Sequence, residues 1–114
     1  MRKTTVKIPA DAIIPDEKVV DYLLVQKLRN DKSKFLAQAG FTQENSEALK
    51  TAIRSLADEG EAIADKTNEY GTFYQVIEEL VGVNGVNLPV VTIWLNRQGD
   101  GKFQFVTLKP YRES

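Results

Sequence analysis

"NLPVVTIWLNRQGDGKFQFVTLKPY", Asn87 to Tyr111, holds two β-branched and aromatic runs separated by Gln98-Gly99-Asp100-Gly101. Runs of this composition bounded by a glycine-rich turn read as antiparallel strands joined by a hairpin. A third such run, "TFYQVIEELVG" (Thr72 to Gly82), precedes them, and Asn84-Gly85 between is a strong hairpin signal. The C-terminal half is therefore read as a three-stranded antiparallel meander.

Upstream the hydrophobic period changes to that of helices. In "QENSEALKTAIRSLADEG" (Gln43 to Gly60), Leu49, Ala52, Ile53 and Leu56 share one helical face. Thr42 is placed to cap it, Glu44 and Glu47 occupy the early turns, and Gly60 ends it. Asp31 can cap a shorter helix over Lys32–Ala39, with Phe35, Leu36 and Ala39 inward and Gly40 as the stop. Pro15, Asp16 and Glu17 open a helix over Asp16–Leu24, where Val19, Val20, Leu23 and Leu24 form the apolar stripe. "TVKI" (Thr5 to Ile8) reads as a short strand. The sum is one α+β domain, residues 1–114, with N-terminal helices packed on one face of a three- to four-stranded antiparallel sheet.

Strand alternation sorts the side chains into two faces. Val91, Ile93 and Leu95 oppose Val90, Thr92 and Trp94 in the middle strand. Val106 and Leu108 oppose Phe103, Phe105 and Thr107 in the last. The purely aliphatic sets are expected under the helices, with Ile53 and Leu56 against Val91, Ile93 and Leu95. That leaves Thr92, Trp94, Phe105 and Thr107 on an open face.

Composition narrows the chemistry. The chain has 114 residues, no cysteine and no histidine. Disulfides, thiolate metal sites, histidine bases and histidine ligands are excluded, which leaves carboxylates, Lys, Arg, Tyr, Ser and Thr. No metal or other cofactor is expected: Glu78 and Glu79 are strand neighbours pointing to opposite faces, and no glycine-rich phosphate loop is present. The start carries no apolar segment of signal-peptide length and no stretch approaches a membrane span, so a cytoplasmic protein is expected, with no membrane partner. The net charge of −1 is unevenly laid out: the first and last thirds are mildly basic and the middle is acidic.

Three constellations could carry function. "YLLVQKLRNDKSKFLAQAGF" (Tyr22 to Phe41) concentrates Lys27, Arg29, Lys32 and Lys34. Lys32 and Lys34 fall in the first turn of a helix, where the macrodipole opposes cations, so either a phosphate or mere solubility accounts for them. In "TNEYGTFY", Glu69 and Tyr70 stand beside a tight turn and suit proton transfer or simply a turn structure. On the expected open face, Trp94 with Thr92 can stack on a base, or bury a small second core or a dimer contact. Arg97 closes that strand, on the aliphatic side by strict alternation unless a bulge re-aims it.

The blocks "YLLVQKLRNDKSKFLAQAGFTQEN", "NEYGTFYQV", "VVTIWLNRQGDG" and "FVTLKP", spanning about Ile14 to Pro110, resemble a family of small uncharacterised bacterial proteins, largely cyanobacterial. More distantly, they are similar to C-terminal domains of polymorphic toxins of the barnase/colicin/RelE-like ribonuclease class. That resemblance implies a metal-independent RNA endonuclease. Lys32 and Lys34 would hold the phosphate, Tyr70 or Glu69 would exchange protons, and Thr107 would position the scissile group. Arg29, Thr92, Trp94 and Arg97 would bind the substrate. The competing implication is a non-catalytic interaction module, immunity- or antitoxin-like, that meets a toxin partner or a second copy through the open face.

Overall fold

The computed structural model describes residues 5–17 and 32–111. Its elements are β1 (Thr5–Val6), α1 (Lys32–Ala37), a 3-10 turn (Gln43–Asn45), α2 (Ser46–Glu59), β2 (Ala62–Asn68), β3 (Gly71–Val81), β4 (Asn87–Arg97) and β5 (Phe103–Pro110). The strands form one antiparallel sheet in chain order, β1-β2-β3-β4-β5. The α+β architecture is as expected, but the sheet has five strands rather than three or four. Asp16 and Glu17 are helical. The remainder of the helix expected over Asp16–Leu24 lies outside the described residues, as does Arg29. Among the described residues no helix is long and apolar enough to cross a membrane.

The additional strand, β2, has the sequence AIADKTN. Ala, Asp, Lys and Asn are poor strand formers, which hides it from a propensity reading. Its partner imposes it. Asn68 pairs with Gly71 across the two-residue turn Glu69-Tyr70, and the Asn68 Oδ1 accepts the Tyr70 N–H at 2.8 Å. Gly71 holds φ at +142°, and a Cβ there would collide with the Asn96 carbonyl oxygen, so only glycine fits.

Helix α2 begins where Asn45 staples the preceding loop. Its Oδ1 accepts the Thr42 N–H at 2.7 Å, and its Nδ2 donates to the Gly40 carbonyl at 2.8 Å. Leu49, Ile53, Leu56 and Ala57 are the buried face of α2 and share the core with Val76 and Leu80 of β3. The far end is closed by Lys7, whose Nζ donates to the carbonyls of Asp58, Glu59 and Gly60 at 3.2–3.3 Å. A cation there offsets the negative end of the helix dipole.

The helices cover the face opposite to the one expected. Leu88, Val90, Thr92 and Trp94 of β4 are buried beneath them with Phe105 and Leu108 of β5. Val91, Ile93 and Leu95 point away, so Ile53 and Leu56 do not face them. Two physical reasons set this choice. A register shift in β5 pairs Ile93 with Thr107 but Trp94 with Phe105, so Val106 is an extra residue and Phe105 and Leu108 share a face. The wide gap between sheet and helices is also filled best by aromatics: Trp94 and Phe105 meet edge to face at 5.4 Å.

Lys50 of α2 donates a hydrogen bond to Asp16, and this bond holds the lysine above its ordinary pKa of 10.5. A raised cationic pKa stabilises the fold fully below the ordinary value of 10.5 and loses that contribution as pH climbs through the higher folded value. Lys50→Met should cost only about 0.2–1 kcal/mol at neutral pH, the scale of a partly exposed pair, and should remove part of the alkaline fall in stability. By contrast, Ile53→Ala should cost about 2–5 kcal/mol in urea unfolding, and Ile93→Ala, on the outward face, clearly less.

Candidate functional site

The outward face of the sheet is built row by row from cross-strand partners. Lys66, Phe73, Leu95 and Gln104 form one row; Ile63, Gln75, Ile93 and Thr107 the next; Ile77, Val91 and Lys109 the one after. Arg97 ends β4 opposite Gly71. Val91 is buried, Phe73, Ile93 and Leu95 are half-buried, Ile77 is 43% exposed, and Lys66 and Lys109 lie open to solvent. The face therefore has an aliphatic centre, amides and a hydroxyl between, and cations around it. Lys66 carries its ammonium 5.9 Å from the Phe73 ring centre.

Two polar groupings stand on this face. At one end, Glu69, Tyr70, Leu95, Arg97, Gln98 and Gln104 line a groove of about 550 Å³. Arg97 is oriented there by two neighbours: Nη1 donates to Gln104 Oε1 at 3.3 Å, and Nη2 pairs with Asp100 Oδ2 at 2.9 Å. A guanidinium has five N–H donors, so several still point elsewhere. Tyr70 is 65% exposed, its backbone carbonyl fixed by the Gln98 N–H at 3.0 Å. Farther along β5, Lys32 Nζ donates to Thr107 Oγ1 at 2.8 Å. Arg97 and Ile93, the partner of Thr107, are four residues apart on β4, about 13 Å at 3.3 Å per residue.

The structure thus brings Tyr70 together with Arg97, and Lys32 with Thr107, on one face. It separates the others. Lys34 lines a different groove with Ser33, Ala37, Phe41, Thr42 and Glu44. Thr92 and Trp94 have no exposed surface, which corrects their expected place on an open platform. Trp94 Nε1 donates to Thr92 Oγ1 at 2.8 Å, and Thr92 Oγ1 donates to the Val76 carbonyl at 3.4 Å. The hydroxyl expected to meet a ligand instead satisfies a buried indole. Gln104, Gln75 and Phe73 belong to the face and were not anticipated. Pairing β3 with β4 in the register set by Asn84-Gly85 would have found Phe73 and Gln75. Gln104 is hidden by the β5 bulge. Among the described residues, no three His, Cys, Asp or Glu side chains are grouped to hold a metal ion.

A family profile for a domain of unknown function, DUF6883, matches residues 8–112, nearly the whole chain. The chain belongs to the DUF6883 family. No curated protein matches it. Among solved structures, the fold is similar to one chain in the complex of a contact-dependent growth inhibition toxin with its immunity protein from Klebsiella pneumoniae 342. The TM-score is 0.70 at 17% sequence identity, covering 91% of this chain and 97% of that one. At such identity the likeness is one of fold. Membership in the DUF6883 family adds no activity to it.

Trp94 is the only tryptophan in the chain and reports on this arrangement. Its emission should be blue-shifted and shielded from iodide until the chain unfolds. Oligonucleotides bound on the outward face should leave it unquenched, because no base can reach the buried ring.

Proposed function

We propose that this DUF6883 domain acts as a toxin-like, metal-independent RNA endonuclease on the outward face of its sheet. The observation that carries the reading is the placing of Arg97, Tyr70 and Glu69 in one groove, with the Lys32–Thr107 pair farther along the same face. The fold likeness to a chain of a growth-inhibition toxin–immunity complex supports it. Cations on this face give a slightly acidic chain a local site for a phosphate backbone.

The chemistry follows from the residues present. Glu69 takes the proton of the ribose 2′-hydroxyl, and the 2′-oxygen attacks the adjacent phosphorus. Arg97, held by Gln104 and Asp100, stabilises the charge gathering on the phosphorane oxygens. The bond from phosphorus to the 5′-oxygen breaks, and Tyr70 supplies that oxygen with a proton. The products are a 2′,3′-cyclic phosphate and a 5′-hydroxyl, with no oxidant, metal or second reactant required. Lys32 and Thr107 hold a neighbouring phosphate, and Phe73 offers the stacking surface that Trp94 does not.

One feature of the same face favours a second reading. Phe73, Ile77, Ile93 and Leu95 make its centre apolar, which suits a non-catalytic immunity-type module pressed against a protein partner. Expression of the chain in bacteria separates the two. The endonuclease reading expects growth arrest and RNA fragments ending in cyclic phosphate, with Arg97→Ala and Tyr70→Phe each lowering cleavage by about 10²–10³-fold. Lys32→Ala should reduce the salt dependence of RNA binding by about 0.7 in slope, whereas Lys34→Ala, in its separate groove, should leave it unchanged. A purified chain that neither cleaves RNA nor binds it in a salt-dependent way would leave the protein-partner reading standing.

A further inference from the structure

The opposite margin of the sheet carries a feature that the RNA reading does not use. The β2–β3 ladder ends at the Ile63–Gln75 pair, while the β3–β4 ladder continues to Val81–Asn87. Among the described residues, β3 beyond Gln75 therefore has no strand on its β2 side. Ladder parity shows which backbone groups face that side. Pro89 accepts the Tyr111 N–H at 2.9 Å through a carbonyl turned toward β5. Its partner Glu79 is consequently in a pair without mutual hydrogen bonds, and its N–H and C=O point outward. Ile77 and Val81 share that parity. The Glu79 N–H finds only the carboxylate of its own neighbour, Glu78, at 3.3 Å.

Alongside this edge runs a groove of about 410 Å³, lined by Ala48, Ala52 and Ser55 of α2 on one side and Val81 and Val83 on the other. The small side chains of α2 leave room for a strand and its side chains beside β3. Val81 and Val83 are 59% and 56% exposed, so aliphatic surface lies ready on the rim. Glu59 of α2 and Glu79 of β3 both line the groove, making its polar component acidic. An edge of this kind is a template for another chain unless it is blocked.

We propose that the free half of β3, from Ile77 to Val81, accepts an extended segment of a partner protein as a sixth strand, and that this segment alternates aliphatic and basic residues. The backbone of Ile77 and Glu79 and the N–H of Val81 supply the ladder hydrogen bonds, up to Ala39, whose carbonyl already accepts the Val83 N–H at 3.0 Å, and alternate side chains enter the groove. The basic residues answer Glu59 and Glu79, the two acids that line the groove together. A second copy of the same edge is a poor occupant, because antiparallel self-pairing about Glu79 sets glutamates against each other.

The test uses the full ¹⁵N-labelled chain and a seven-residue peptide alternating lysine and valine. On binding, amide exchange at Ile77, Glu79 and Val81 should slow by about tenfold or more, with little change on the outward face. A peptide with glutamate in place of lysine, and one N-methylated at the residues that face β3, should each bind about tenfold more weakly or not at all. Glu79→Lys, at an exposed position, should fold normally and weaken the lysine peptide. The proposal is overturned if the peptide does not bind, or if it binds with unchanged exchange at those three amides. Equal binding of the N-methylated peptide, or self-association of the chain through this edge, overturns it as well. None of these outcomes depends on RNA cleavage.

Discussion

Burial of Trp94 under the helices is the constraint on which the rest of the structure depends. The indole packs edge to face on Phe105, and its N–H is satisfied by Thr92, itself bonded to the backbone of β3. Turning β4 over would expose this ring and leave the aliphatic set under α2, with a void where an aromatic now sits. Since a slip of one residue exchanges the two faces of a strand, this packing decides which side chains look outward. Arg97, Thr107 and Gln104 share a face with Leu95 and Ile93 because Trp94 and Thr92 do not.

The same geometry sorts the charge. The acidic middle third of the chain becomes α2 and the free edge of β3, where Glu59, Glu78 and Glu79 gather. The cations of β2, β4 and β5, Lys66, Arg97 and Lys109, stand on the outward face or at its margin. A net charge of −1 thus hides two surfaces of opposite character. The sites proposed for a polyanion and for a basic peptide segment therefore lie on separate surfaces.

Backbone polarity matters as much as side chains here. The turn at Glu69-Tyr70 exists because Gly71, which follows it, takes a φ that other residues rarely adopt, close against the Asn96 carbonyl. That turn sets Tyr70 beside Arg97. At the other end of β3, the loss of β2 as a partner after Gln75 follows from the short reach of β2, which begins only two residues after the α2 terminus at Gly60.

The helical spacing of Leu49, Ile53 and Leu56, the stop at Gly60, and the Asn84-Gly85 and Gly99–Gly101 turns determined α2 and the β3–β4–β5 meander from sequence alone, because each rests on local backbone preference. The start of α2 falls at Ser46, after Asn45, rather than after Thr42. The sequence and the resemblance it carries offered Lys32, Lys34, Tyr70 and Thr107 as candidates to act on a phosphate, with Arg29, Thr92, Trp94 and Arg97 as candidates to bind the substrate. Only the tertiary structure decided that Trp94 and Thr92 are core, that Lys34 stands apart, and that a polar segment, Ala62–Asn68, is a strand. Those outcomes depend on which face the helices fill, on one extra residue at Val106, and on pairing with β3. Each is a contact between segments distant in the chain, and hydrophobic alternation reads the same whichever face is turned inward.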